Sequence, residues 1–183
     1  MEIRYLRDIK EVLYDKKWAK NAEDIELYYM NRGVKQKNNL RYDITEIPPR
    51  MLGQEFVKTK GHRHKKHQEL YIVLQGKAIF LLQKAIDNKI EDVYAVKAGK
   101  NQGVIIPPVY DHITINPSKK TLKLGNWISK NCKSDYKFIQ KKKGACYFYT
   151  KKGWIKNKNY KNIPKLRFEK PLKSIPKNLD FLN

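Results

Sequence analysis

The spacing of hydrophobic positions changes near Leu40. Before it, Tyr5, Leu6, Ile9, Val12 and Leu13 recur at three- and four-residue intervals with charged residues between them, which predicts an amphipathic helix from Tyr5 to Trp18. A second, short helix is expected from Ala22 to Met30, with Asn21 as its N-cap and Gly33 and the polar stretch Lys35 to Asn39 ending it. From Leu40 onward the period shortens to two. Leu40, Tyr42 and Ile44 alternate with Arg41 and Asp43, the pattern of a half-buried strand, and Pro48 and Pro49 stop it. Further strands are expected at Glu69 to Gln75 and Lys77 to Gln83 on either side of Gly76, and at Ile90 to Lys97 after the turn residues Asp87 and Asn88. Three more follow at Val104 to Ile106, His112 to Ile115 and Thr121 to Ile128. So many short strands joined by tight turns predict an all-β-dominated sandwich or barrel, with jelly rolls among the candidates.

Beyond Lys130 lysine rises and apolar content falls, although Cys146 to Thr150 and Trp154 to Lys156 can form a hairpin around Gly153. Pro164, Pro171 and Pro176 then mark an extended arm, whose Phe168, Leu172, Ile175 and Phe181 predict packing on the barrel or on a partner subunit. The expected organisation is an N-terminal helical segment (residues 1–39), a barrel (40–130) and a basic C-terminal extension (131–183).

At 183 residues the chain suits one main domain. Its formal charge of +22 sets up a field that attracts anions. The lysines are spread from Lys10 to Lys177, not gathered on one element with interleaved aromatics, so a small phosphorylated ligand fits better than nucleic acid. Two distant cysteines, Cys132 and Cys146, and no leader-like segment near Met1 lead to the expectation of a reduced, cytoplasmic setting. No apolar run approaches the roughly 20 residues of a membrane helix, so no membrane partner is expected.

Chemistry concentrates in two segments. His62, His64 and Glu69 form an H-x-H-x-x-x-x-E pattern, and residues two apart on an extended chain point to one side, so both imidazoles can meet at one point. A turn after His64 can return Glu69 beside them, and His112 arrives on a separate strand after Pro107 and Pro108. Three imidazoles and a carboxylate suit one divalent transition metal, Fe2+ foremost, with Mn2+, Ni2+, Co2+ or Zn2+ as alternatives, and leave coordination positions open. The fourth histidine, His67, is expected to be a loop residue outside this set.

These segments resemble the two cupin motifs, with Glu55 or Phe56 near the place of the usual leading glycine and Val109 in place of the glycine of the second motif, P-x-G-x-x-H-x-x-x-N. A narrower likeness rests on T-K-G-H-x-H at Thr59 to His64, E-x-Y-x-x-L-x-G at Glu69 to Gly76, F-L-L-Q at Phe80 to Gln83 and P-P-x-x-x-H-x-x-x-N at Pro107 to Asn116. Together they resemble the archaeal cupin-type glucose-6-phosphate isomerases, over roughly Arg4 to Tyr136. The resemblance implies a cupin double-stranded β-helix, a homodimer, and metal-dependent interconversion of glucose 6-phosphate and fructose 6-phosphate in glycolysis and gluconeogenesis. It further implies metal ligation by His62, His64, Glu69 and His112, catalytic roles for Glu69 and His112, and a phosphate held by Thr45, Thr59, Gly61, Tyr71 and Tyr136. Hydroxyls and a backbone amide are the donors a phosphate needs.

The chain also departs from the family. Two residues are missing between His64 and Glu69, Val109 stands where a tyrosine is usual, and Ser134 where a histidine is usual. Tyr110 is a candidate to replace the lost hydroxyl. An iron-dependent cupin dioxygenase and a non-catalytic metal or sugar-phosphate binder remain as alternatives, and both an enediol route and a hydride shift are compatible with the residues.

Overall fold

The computed structural model describes residues 1–182. Its N-terminus differs from the helical expectation. Glu2–Tyr5 is a strand (β1), Leu6–Ile9 a single helical turn (α1), Lys10–Val12 a 3-10 turn and Lys16–Asn21 a short helix (α2). The spacing of Leu6, Ile9, Val12 and Leu13 correctly marked buried positions. One continuous helix is interrupted because Leu13 is extended, at φ −86° and ψ 154°, and Asp15 starts α2 afresh by accepting from the Trp18 amide. The second expected helix is a strand, β2 (Glu26–Lys37), and Asn21 ends α2 without capping a new helix. Its Leu-Tyr-Tyr run suits a pleated surface, and pairing with β1 and with β3 (Leu40–Ile47) satisfies its backbone on both sides.

The remaining strands follow the sequence closely. They are β4 (Met51–Leu52), β5 (Glu55–Phe56), β6 (Glu69–Gln75), β7 (Lys77–Ile86), β8 (Lys89–Gly99), β9 (Gly103–Ile106), β10 (Tyr110–Ile115), β11 (Leu122–Ser129), β12 (Tyr147–Thr150) and β13 (Gly153–Lys156). Asp87 and Asn88 both take positive φ (48° and 65°), as a two-residue hairpin turn between β7 and β8 requires. A six-stranded sheet in the order β1-β2-β3-β11-β6-β9 faces a four-stranded sheet containing β10, β7 and β8. Val73, Leu124 and Ile106 from the first meet Phe80, Leu82, Val93 and Ile113 from the second in one buried cluster. This is a double-sheet jelly-roll barrel, the architecture expected from the sequence.

Alternation in β3 places its two sets of side chains against different surroundings. Leu40 and Tyr42 face away from the barrel interior, Leu40 packing with Leu70, Leu179 and Leu182 and Tyr42 against Trp127. Arg41, Asp43 and Thr45 instead line a pocket inside it. The outward cluster is closed by the C-terminal arm. Its strand β14 (Arg167–Glu169) runs parallel to β8, and Leu172, Ile175 and Phe181 pack beside Ile72, Ile105 and Trp127. Phe168, expected to pack, is 60% exposed, because only its backbone joins the β8 edge.

The turn into β10 carries strain. Val109 sits at φ +63°, a left-handed conformation that costs a residue with a Cβ about 1–2 kcal/mol and that β-branching makes harder still. Its amide donates to the His64 carbonyl at 2.7 Å, which holds the turn in place. Val109→Gly removes the strain and adds about 0.4–1 kcal/mol of unfolded-state entropy. A net stabilisation of about 0.5–1 kcal/mol is expected as a higher urea midpoint with unchanged slope; a lower midpoint would show that the half-exposed valine side chain contributes more than its backbone costs.

Candidate metal centre

His62 and His64 lie on the extended segment between β5 and β6, and His112 on β10. The segment reaches β10 through a single antiparallel bridge, in which the His62 amide donates to the His112 carbonyl at 3.3 Å and the His112 amide returns the bond at 2.9 Å. The turn that aims the two histidines needs Gly61, at φ +86°, where a Cβ would lie 2.6 Å from Ile113 Cγ1. Glu69 opens β6, directly across the barrel wall from Ile128 on β11.

One nitrogen or oxygen from each of His62, His64, Glu69 and His112 lies within 4.8 Å of every other. His62 Nε2 is 3.2 Å from His64 Nε2, while Glu69 Oε2 is 3.1 Å from His64 Nε2 and 3.2 Å from His112 Nε2. The outward atoms are held by the protein. His64 Nδ1 faces the Lys133 carbonyl at 3.3 Å, His112 Nδ1 faces the Tyr110 carbonyl at 3.4 Å, and Glu69 Oε1 accepts from Asn126 Nδ2 at 2.7 Å. A carbonyl only accepts, so in a neutral ring each Nδ1 carries the proton and each Nε2 turns its lone pair inward. His112 Nε2 is buried and has no well-aligned hydrogen-bond partner among the described residues. An inward lone pair left without a donor, beside two more imidazoles and a carboxylate, fits a divalent metal ion.

The electrostatics agree. Burial would raise the Glu69 carboxyl, but the His112 imidazole 3.2 Å away and the contact with His64 prevail and hold it well below the usual carboxylate range. Burial would lower His64, yet the neighbouring Cys132 and Glu69 push it up to about 10. His62 is driven well below its ordinary value by burial and by the neighbouring His112 and His64. The Tyr71 phenol goes well above its ordinary value through burial and the Glu69 charge, and therefore stays a neutral donor.

The pocket over this cluster is lined by all five residues expected at a phosphate, Thr45, Thr59, Gly61, Tyr71 and Tyr136. Reasoning from the sequence missed its cations, Arg4, Arg32, Arg41 and Lys60. A compositional signal was present, since the chain has only seven arginines against 33 lysines, and three of the seven line this pocket. Asp43 partly balances them, accepting from Arg41 Nε at 3.0 Å with Arg32 Nη1 at 3.6 Å. His67 lies outside the cluster, in a neighbouring lysine-lined groove. Tyr110 does not replace the missing hydroxyl. Its OH donates to Asp92 Oδ2 at 2.9 Å and its ring packs against Tyr94, so it lines a neighbouring groove and not this pocket. Ser134 lies on the rim of the pocket.

Since the metal-free site holds a proton on His64 up to about pH 10, metal binding must displace it. Lower pH favours the proton, so apparent Co2+ affinity is expected to fall by up to ~tenfold per pH unit as pH drops from about 8 to 6. Titration calorimetry in buffers of different ionisation enthalpy would count the released proton; an affinity independent of pH would mean none is displaced.

The family model described as glucose-6-phosphate isomerase (GPI) matches residues 4–165. A glucose-6-phosphate isomerase of Thermococcus litoralis is 31% identical over 126 residues, covering 64% of this chain and 64% of its own length. One of Pyrococcus abyssi is 31% identical over 121 residues, covering 62% of each chain. The match therefore spans just under two thirds of these relatives. Among solved structures, an oxalate oxidase in complex with the substrate analogue glycolate aligns over 60% of this chain and 54% of its own, at 13% identity and a TM-score of 0.49.

Proposed function

The chain belongs to the glucose-6-phosphate isomerase family, and on that premise we propose that it is a metal-dependent aldose-ketose isomerase interconverting glucose 6-phosphate and fructose 6-phosphate. The observation that carries this reading is the join of two chemistries in one pocket: a convergent His62, His64, Glu69, His112 cluster at its base and hydroxyls with guanidinium groups on its walls. A sugar phosphate needs both.

In this reading Thr45, Thr59, Tyr71, Tyr136 and the Gly61 amide donate to the phosphate, and Arg4, Arg32, Arg41 and Lys60 supply the compensating charge. Thr59 is well set for this. Its Oγ1 accepts from the Thr114 amide at 3.0 Å, so its own hydrogen is free to donate into the pocket. The four clustered side chains would hold a divalent ion, with Fe2+ foremost, and the chemistry such an ion would supply is Lewis-acid polarisation of a carbonyl. Glu69, kept ionised by His112 and His64 and anchored at Oε1 by Asn126, is the nearest group able to carry the proton between C2 and C1, as a base freed from the ion at Oε2. His112, wholly buried behind the pocket, fixes the position of Glu69 Oε2. The same reading has the protein act in the cytoplasm as a homodimer, a setting that suits the free thiols Cys132 and Cys146.

A second reading is favoured by one observation. The turned-away Tyr110 and the exposed Ser134 leave the site without the tyrosine and the histidine that the family pattern places there, which suits a sugar-phosphate binder without turnover.

The deciding assay is fructose 6-phosphate turnover by chelator-stripped protein restored with Fe2+, Mn2+, Ni2+, Co2+ or Zn2+. Metal-dependent turnover, with solvent deuterium appearing in the product, is expected if Glu69 moves the proton. Turnover without exchange would transfer the step to a hydride shift, and binding without turnover would favour the second reading. Arg41→Met is expected to raise KM for fructose 6-phosphate about tenfold with kcat nearly unchanged, as for loss of one charge-assisted contact of ~1.5 kcal/mol; an unchanged KM would remove Arg41 from the phosphate site.

A further inference from the structure

The metal ligands meet across a bridge that no ladder supports. His62 opposes His112 in an isolated antiparallel pair, so the neighbouring residues, Arg63 and Asp111, oppose each other on the reverse face. There they form a two-pronged ion pair, Arg63 Nε donating to Asp111 Oδ1 at 2.7 Å and Nη2 to Oδ2. Asp111 is completely buried. Its Oδ2 also accepts from Gln83 Nε2 at 3.2 Å, and the Gln83 Oε1 accepts from the Cys146 amide at 2.7 Å. Gln83 Nε2 further reaches the Tyr160 hydroxyl at 3.2 Å, which in turn donates to the Gly144 carbonyl at 2.8 Å. Arg63 also exchanges backbone hydrogen bonds with Asp135 at 3.0 and 2.9 Å. That segment carries the Lys133 carbonyl facing His64 Nδ1.

A slip of one residue in the bridge would turn His112, or both His62 and His64, to the wrong face. Besides that pair, only scattered backbone contacts resist it, Val109 N–H to the His64 carbonyl at 2.7 Å, Thr59 N–H to the Thr114 carbonyl at 2.9 Å and Asn116 N–H to the Val57 carbonyl at 3.0 Å, and not a continuous ladder. A guanidinium fork on a buried carboxylate is directional, and a buried polar contact that tolerates one alignment is suited to fixing register. We propose that Arg63 and Asp111 are positioning residues of the metal centre, locking the His62–His112 register from behind, and that Gln83 couples this lock to the C-terminal segment from Gly144 to Tyr160.

The proposal rests on the reading of the four-residue cluster as a metal site. Co2+ titration of the full chain tests both, read by visible absorption bands and by equilibrium affinity well below the unfolding temperature, with far-UV circular dichroism as the check on folding. Wild type is expected to bind Co2+. Arg63→Lys, which keeps the charge and loses the fork, and Asp111→Asn, which keeps the shape and loses the charge, are each expected to weaken Co2+ about 10- to 100-fold and to change the band pattern. Either variant that folds suffices for the comparison, and Arg63→Lys is the milder. Wild-type affinity and bands in folded variants, even with lowered thermal stability, would overturn the positioning role and leave the metal site standing. No Co2+ binding by wild type would overturn the metal site and the positioning role with it.

Discussion

Gathering three imidazoles and a carboxylate inside a barrel is the constraint around which the rest of the molecule is arranged. Each polar atom removed from water without a partner costs about 1–3 kcal/mol. The fold meets most of that cost on the outer side of the cluster, with backbone carbonyls on His64 and His112 and the Asn126 amide on Glu69. On the inner side His112 Nε2 is left without a well-aligned partner, and His64 holds a proton that a metal would displace. The cluster is thus supported from outside and incomplete at its centre, the state expected of a site organised for a cation.

The six-stranded sheet makes this possible by using its inner face in two ways. Along β3, β11 and β6, one face runs from Ile47 opposite Leu122 and Leu124 opposite Val73 at the apolar end to Asp43, Asn126 and Tyr71, then Arg41 and Glu69, at the polar end. The apolar end packs against the opposing sheet, and the polar end forms the pocket. The outer face is covered by the C-terminal arm, whose Leu172, Ile175 and Phe181 exclude water from the strands that carry the site. The arm thereby supports the centre without touching it. The arginines gather at the same end, so the broad positive field of the chain has a local focus over the cluster.

The departures from the family pattern alter the rim more than the base. Val109 takes the left-handed turn that a glycine would take freely, and Tyr110 is bound to Asp92 on the outside. Ser134 offers a small hydroxyl where an imidazole is usual. His62, His64, Glu69 and His112 lie together, and Thr45, Thr59, Gly61, Tyr71 and Tyr136 line the pocket beside them.

The sequence by itself determined the strands, the hairpins at Asp87–Asn88 and Gly153, and the membership of the four-residue cluster, because side-chain alternation and turn chemistry are local properties. It misled at the N-terminus. The three- and four-residue spacing of Leu6 to Leu13 reported burial correctly, but burial on one side does not require one helix, and the tyrosines of β2 paired with strands that no local window contains. Only the tertiary structure decided which face of β3 looks inward, that Arg4, Arg32 and Arg41 converge from separate strands, that Tyr110 turns away, and that Arg63 meets Asp111 behind the ligands. Each of those depends on register between segments distant in the chain, and register is set by packing across the barrel and not by any residue's neighbours in sequence.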